Sequence, residues 1–273
     1  MNIDNQTVHG FGDEWTRFDQ SEISDLELIN LFDRYFSIFP WTSLPPSPQG
    51  FDLGCGSGRW AKLVSPRVGT LHCIDPSIAI EVAKNNLKDF DNCFFHKASV
   101  DSMPIEDMSM DFGYSVGVLH HVPNTFNGIV SCVKKLKPGA PFLIYLYYAF
   151  DNRSIIYRGI WRLSEILRFF ISKSPPFLRY FFSQFLALFV YLPLARSAYI
   201  FEKLGISVNN IPLSAYRKLS FYTMRTDALD RFGTRLEQRF TRNKIDEMMR
   251  AAGLERIIFS EAEPYWCAVG FKK

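Results

Sequence analysis

The chain has 273 residues, enough for one large α/β domain or for such a domain with an elaborated insertion. Hydrophobic residues make up 47% and charged residues 22%, a balance that excludes disorder as the main state. The formal net charge of +3 is too small to mark a nucleic-acid binder. Five cysteines (Cys55, Cys73, Cys93, Cys132 and Cys267) are odd in number and lie in mostly apolar, strand-like contexts. No pair has zinc-finger spacing, so no metal is expected and the thiols read as reduced core residues. The polar start MNIDNQTVHG lacks a signal-peptide pattern, and the expected location is cytoplasmic.

Residues 1–48 precede the regular pattern. His9 to Trp15 reads as an ordered arm, and 26–39 carries apolar residues at helical spacing (Leu28, Leu31, Phe32, Tyr35, Phe36). Pro45, Pro46 and Pro48 then break the chain. From Gln49 strands and helices alternate. Strands are predicted at 49–53 (β1), 70–74 (β2), 93–98 (β3), 112–116 (β4) and 141–147 (β5). Helices are predicted from 58, at 78–87 and at 129–136. Such alternation implies a parallel sheet covered on both faces. The pattern breaks over 151–220, where two apolar, aromatic helical stretches, 154–171 and 177–201, flank Pro175-Pro176. The first is amphipathic, with Ile156, Ile160, Leu163, Leu167 and Phe170 on one face. The second contains an uncharged run at 180–195, shorter than the ~20 residues of a membrane span, and Pro193 is expected to interrupt it. Over 151–220, ten Lys/Arg stand against three Asp/Glu, so the basic charge concentrates in this insertion. A helix at 241–252, ended by Gly253, and two strands at 254–260 and 265–271 close the chain.

The most informative run is Phe51-Asp52-Leu53-Gly54-Cys55-Gly56-Ser57-Gly58-Arg59. It reads as the end of a buried strand followed at once by a glycine-rich turn. Glycine takes positive φ and lets the backbone come close to a ligand. A turn of this kind at the carboxyl end of a parallel strand is where open α/β sheets bind nucleotide-like cofactors. The spacing is G-x-G-x-G, and Arg59 stands where a dinucleotide site has its third small residue. Asp75 follows at the end of β2, placed to accept hydrogen bonds from both hydroxyls of a ribose. Ser99 to Ile105 comes after β3, Asp111 to Pro123 spans β4 and its loop, and Lys137-Pro138-Gly139 precedes β5.

In this order and spacing the segments resemble the class I, Rossmann-like, S-adenosylmethionine-dependent methyltransferases, over 49–147 and more weakly over 240–272. The resemblance implies a seven-stranded, mostly parallel sheet with an antiparallel last strand, helices on both faces, and a helical cap inserted after β5. It implies four sections: an arm at 1–48, a cofactor-binding core at 49–150, the cap at 151–239 and a return to the core at 240–273. It implies S-adenosyl-L-methionine as cofactor over the carboxyl ends of β1, β2 and β4. Asp52, Gly54, Gly56 and Gly58 match the turn around the methionine part, and Asp75, followed by Pro76, matches the ribose acid. Ser99 and Val100 fall where adenine is held, although many relatives have Asp where this chain has Ser99. Val116 matches a β4 residue that touches the cofactor. Arg34 is the counterpart of an arginine that pairs with the cofactor carboxylate in some relatives.

Methyl transfer is a displacement in which the cofactor supplies reactivity and the protein supplies orientation and, for hydroxyl or amide acceptors, a base. His121, just past β4, is the leading base candidate; the competing reading is that His120 and His121 only support the loop. Asp151, after β5, is the second candidate, against a helix N-cap. Trp15 reads either as a lid over the site or as an apolar anchor. For the basic insertion three readings stand open: a lid for an anionic substrate, a surface resting on anionic lipid, and an extra helical layer or dimer interface. The charged cluster at 225–239 fits an acceptor pocket or a surface ion-pair network. The expected activity is O-methylation of a small or carrier-linked, polar or anionic acceptor. The alternatives are quinone-type C-methylation and a non-catalytic cofactor-binding subunit, and a nucleic-acid substrate is disfavoured.

Overall fold

The computed structural model describes residues 2–208 and 210–273. In chain order its first elements are helices α1 (Asn5–Arg17) and α2 (Asp25–Phe36), then β1 (Gln49–Leu53), α3 (Ala61–Val64), β2 (Thr70–Ile74), α4 (Ala79–Asn86) and β3 (Cys93–His96). They continue with β4 (Phe112–Val116), α5 (Thr125–Lys135), β5 (Pro141–Tyr145), α6 (Ile155–Lys173), α7 (Pro176–Leu186), α8 (Leu192–Lys203) and α9 (Phe221–Gly233). The last elements are α10 (Arg242–Ala251), β6 (Leu254–Phe259) and β7 (Cys267–Lys272). These elements form two compact units. One comprises the chain up to Gln20, Leu28–Ala149 and Leu236–Lys273; the other comprises Ser21–Glu27 and Phe150–Arg235.

The first unit holds a seven-stranded sheet in the order β3-β2-β1-β4-β5-β7-β6. The pairings β1–β2, β2–β3, β1–β4 and β4–β5 are parallel, and β7 is antiparallel to both neighbours. The chain winds outward from β1 through β2 to β3, then restarts on the other side of β1 with β4. The carboxyl ends of β1 and β4 therefore diverge at a topological switch point, the place where such sheets bind ligands. The register there is set by an exchange of glycine and phenylalanine. Gly50 pairs with Phe112 and Phe51 with Gly113. A Cβ built on Gly50 would lie 2.2 Å from the Phe112 ring, and one on Gly113 would lie 2.3 Å from the Phe51 ring. Each ring thus fills the space its partner glycine leaves, and both rings are fully buried. All five cysteines are buried and free.

The second unit has its own small core, in which Ile171, Ala187, Tyr191 and Ala195 pack with Met224, Ala228 and Phe232 of α9. The start of α9 is capped twice. The Ser220 hydroxyl accepts from the Thr223 N–H, and Glu27 Oε1 accepts from the Ser220 N–H at 3.0 Å and from the Thr223 hydroxyl at 2.7 Å. One expectation is corrected here. Pro193 does not interrupt the second apolar stretch: helix runs without a break from Pro176 to Lys203. Proline lacks an N–H and crowds the carbonyl four residues earlier. The residues 187–191 just before it open into a π-helical turn, which absorbs that conflict.

Gly113→Ala is expected to lower stability by about 1–3 kcal/mol, because the added methyl overpacks a site closed by the Phe51 ring. A urea unfolding curve of the first unit's transition reads this loss; an unchanged midpoint would show that the β1–β4 junction has slack.

Candidate active site

The turn after β1 is built by three glycines with positive φ: Gly54 at 76°, Gly56 at 54° and Gly58 at 78°. The Gly54 and Cys55 N–H groups donate to the Ile74 carbonyl at the end of β2. The turn is also held by Asp75. Its Oδ2 accepts from the Gly56 N–H at 3.0 Å, while its Oδ1 accepts from the Ser77 N–H at 2.8 Å and the Ser77 hydroxyl at 2.6 Å. Burial raises the Asp75 pKa, and the Ser77 and Gly56 hydrogen bonds oppose that rise. Asp75 therefore fixes the turn. Ser77 was not legible as a site residue, although a serine two residues after an aspartate is a common turn pairing. Pro76 is half-buried between them.

Asp52, on the last part of β1, is buried, and its Oδ2 has no hydrogen-bond partner among the described residues. Burial pushes its carboxyl up to about 8; the neighbouring Tyr114 hydroxyl pulls the other way and the Asp75 charge adds to the rise. An orphaned buried oxygen beside a turn with no side chains on three positions fits a ligand that brings a donor or a positive charge.

Helix α1 covers this turn. Gly12 is buried against the loop after β2, where a Cβ would lie 2.9 Å from Ile78. That close approach brings Trp15 over Gly56, whose added Cβ would meet the indole Nε1 at 2.9 Å. One helical turn earlier, Phe11 packs on the His121 ring with centroids 4.8 Å apart. The same helix face thus touches the glycine turn and the base candidate. The start of the arm is tied down as well: Asn2 bonds to Asp101 through its N–H and to Asn124 through its side chain.

His120 and His121 form a short turn just past β4, and both are buried. His121 Nδ1 lies 2.7 Å from the Leu236 carbonyl. A carbonyl only accepts, so Nδ1 carries a proton and Nε2 is the ring nitrogen left for a base role. His120 stacks on Tyr147 at 3.9 Å between centroids. Burial pushes its pKa well below the usual imidazole range, and His121 and Arg239 add to that. Arg239 lies over Tyr147 at 5.1 Å and pairs with the almost fully buried Glu237 at 2.8 Å.

The remaining candidates are more dispersed. Val100 and Val116 are buried in the core near the strand ends. Ser99 spends its hydroxyl on Ser102 at 3.0 Å. Arg34 reaches Glu263, donating to its carbonyl at 3.4 Å with its carboxylate at 4.0 Å, in the loop between β6 and β7. Asp151 is an exposed turn residue of the second unit, and the N-cap of α6 is Ser154 instead. Of the 225–239 cluster, Arg225 bonds to Gln184 and Tyr180, and Arg231 pairs with Glu165, both within the second unit.

Residues 51–144 match the family model of a methyltransferase domain. Over these residues the chain carries a methyltransferase domain. No curated protein sequence matches it. Among solved structures it is similar to the Haloferax volcanii protein in complex with the Trm112 methyltransferase activator, with 15% identity, a TM-score of 0.51 and 96% of each chain covered. It is also similar to Haemonchus contortus phosphoethanolamine N-methyltransferase 2, solved with phosphomonomethylethanolamine and S-adenosylhomocysteine. That match has 13% identity and a TM-score of 0.50, and covers 91% of this chain and 42% of that one. At these identities the likeness concerns the methyltransferase fold. The sheet order and the antiparallel β7 agree with the architecture that the sequence motifs imply.

Two outcomes test the electrostatics of the turn. Asp75→Asn replaces an oxygen that accepts with an amide that donates, so either the Gly56 or the Ser77 contact is lost. The methyltransferase variant is expected to bind S-adenosylmethionine about tenfold to a hundredfold more weakly, roughly 1.4–3 kcal/mol, by calorimetric titration. Unchanged affinity would remove Asp75 from the site.

The second outcome concerns pH. Unfolded Asp52 ionises near the ordinary carboxylate value of about 3.9, whereas in the folded protein it keeps its proton up to about 8. Within that window the folded state holds the extra proton, so this contribution to stability is present at low pH and is lost as pH rises. Asp52→Asn cannot ionise. It should gain on the wild type by up to about 1.4 kcal/mol per pH unit between those values and level off above them. A difference in unfolding free energy that stays flat with pH would show Asp52 to be ionised throughout.

Proposed function

We propose that this methyltransferase moves the methyl group of S-adenosylmethionine to an oxygen of a polar or anionic acceptor, a small metabolite or one linked to a carrier, with His121 as general base. When bound, the cofactor supplies an electrophilic methyl group. Backbone at Gly54, Gly56 and Gly58 would approach it, Asp75 would take its ribose, and Asp52 would offer an acceptor oxygen to its cationic part. Trp15, lying over Gly56, would exclude water from the turn.

The observation that carries the acid–base part is the geometry of His121. Its Nδ1–H is anchored on the Leu236 carbonyl, which fixes the tautomer and leaves Nε2 as the basic atom. It sits on the loop after β4, and Phe11 of the same helix that covers the cofactor turn packs on it. A hydroxyl acceptor loses a proton as it is methylated, so a positioned imidazole has a task there that an ionised carboxylate or an amine would demand less strongly. His120 supports the loop by stacking on Tyr147 and, with its pKa driven down, adds no positive charge beside the base.

The test has two stages. Purified protein is titrated with S-adenosylmethionine, S-adenosylhomocysteine and NAD, and binding of the adenosyl ligands without NAD is expected. Wild type and His121→Asn are then compared on a panel of hydroxylated and carboxylated acceptors. The variant should lose about 10²–10⁴ in turnover while keeping its cofactor affinity. Full activity in the variant removes His121 as base. Cofactor binding with no methyl transfer to any acceptor would favour a non-catalytic subunit.

A further inference from the structure

The second unit leaves an unusual amount of apolar surface uncovered. Among the described residues, twenty of the twenty-six exposed large apolar side chains lie between Ile155 and Ile206. On α6, Ile156, Ile160, Leu163, Leu167 and Phe170 share one face at helical spacing, and every one is exposed. On α7, Phe177, Phe181 and Phe185 repeat every fourth residue and are exposed too, with Leu188 following in the π-turn. Soluble proteins seldom show contiguous apolar patches beyond a few hundred Å², and larger ones mark contact surfaces. The unit's own core does not use these faces. It is built from the opposite side of the Pro176–Lys203 helix, where Ser183, Ala187, Tyr191, Ala195 and Ala198 are buried.

Charge says what kind of partner covers them. Over 151–220, ten Lys/Arg stand against three Asp/Glu. Two of those three acids are already neutralised inside the unit: Glu165 pairs with Arg168 and Arg231, and Glu202 with Arg217 and Lys218. Exposed Arg158 and Arg162 stand three or four residues from exposed Ile155 and Ile166, on the outward edge of α6 away from the Ile156–Phe170 stripe, and exposed Lys173 and Lys203 stand at the helix ends. An apolar face on a helix that carries arginine and lysine elsewhere on its surface is the pattern of a helix lying in the interface of an anionic bilayer.

The Pro176–Lys203 helix is long and apolar enough to cross a membrane by length and composition. Its buried side, however, packs on α9, and Gln184 and Tyr180 bond to Arg225 of that helix. A spanning placement would carry Arg225, Asp227, Asp230 and Arg231 into hydrocarbon at high cost. An in-plane placement buries the phenylalanines and leaves α9 in water.

We propose that the second unit binds the surface of an anionic lipid bilayer, with the exposed faces of α6 and α7 inserted to the level of the acyl chains. This docking is independent of the acceptor chemistry proposed above, and cofactor affinity separates the two.

The full chain is floated with vesicles of phosphatidylcholine alone and of phosphatidylcholine with phosphatidylglycerol. Binding to the anionic vesicles is expected, weakened by added salt and much weaker on the neutral ones. The triple variant Leu163→Glu, Phe170→Glu, Phe181→Glu changes only exposed positions. It should lose roughly tenfold or more in partitioning with S-adenosylmethionine affinity unchanged. The charge-reversed pair Arg158→Glu, Arg162→Glu should lose the preference for anionic lipid. Failure of the wild type to bind either vesicle overturns the proposal, as does binding that the triple variant retains. If the wild type instead sediments as a dimer that the triple variant dissolves, a second copy of the chain covers the face and the proposal falls.

Discussion

The glycine–phenylalanine exchange between β1 and β4 is the constraint from which the rest of the first unit follows. Strand order alone puts β1 next to β4, but parallel strands slide unless something fixes their register. Here Phe51 has room only over Gly113, and Phe112 only over Gly50. A shift by one residue would set ring against ring and turn every side chain to the wrong face. With that register locked, Leu53 and Val116 end at heights that place the glycine turn and the histidine turn side by side. Val118 then closes on Gly54, where a Cβ would lie 2.4 Å from it. The close approach of these two turns is a packing result before it is a chemical one.

On that frame the site is organised by two buried acids with different tasks. Asp75 has donors on both oxygens and so stabilises the turn even as burial works against its charge. Asp52 has an oxygen with no donor, and burial holds it protonated near neutrality. A site that already satisfied both carboxylates would gain little from a cationic ligand. One that leaves a buried oxygen unsatisfied gains the hydrogen bond or charge contact that the ligand brings. Placement of α1 across both turns completes the arrangement. Phe11 and Trp15 are four residues apart and therefore on one helix face, so a single helix packs on His121 and on the glycine turn together.

Much of this was legible because glycine and strand patterns are local. The positive φ values at Gly54, Gly56 and Gly58 are what their spacing anticipates, and the five parallel strands fall where the apolar runs lie. What sequence could not supply depends on contacts between distant segments. Ser77 matters because Asp75 turns back on it and on Gly56. Leu236 matters only because its carbonyl arrives beside His121 from more than a hundred residues away. The arm's role needed Gly12 to let α1 sit close to the β2 loop, and a glycine inside a helix carries no such label. Helix α9 was read as a charged cluster since its apolar stripe, Met224, Ala228 and Phe232, is thin and its charges are spent on neighbours. Pro193 reads as a break because proline disfavours helix interiors, yet the π-turn just before it lets the helix continue.

The two units invert each other's economy of apolar surface. In the first, phenylalanines are interior and set strand register; Phe51, Phe112 and Phe142 are fully buried. In the second, Ala187, Ala195 and Ala228 share the interior with Ile171, Tyr191, Met224 and Phe232, while Phe170, Phe177, Phe181 and Phe185 are left outside. Small residues at helix contacts bring backbones close, yet they bury little apolar area and stabilise the unit weakly. A fold that places its largest apolar groups on the outside reaches its lowest free energy only when something apolar covers them. The basic charge of that unit matches the covering proposed above, an apolar layer that is negatively charged at its edge.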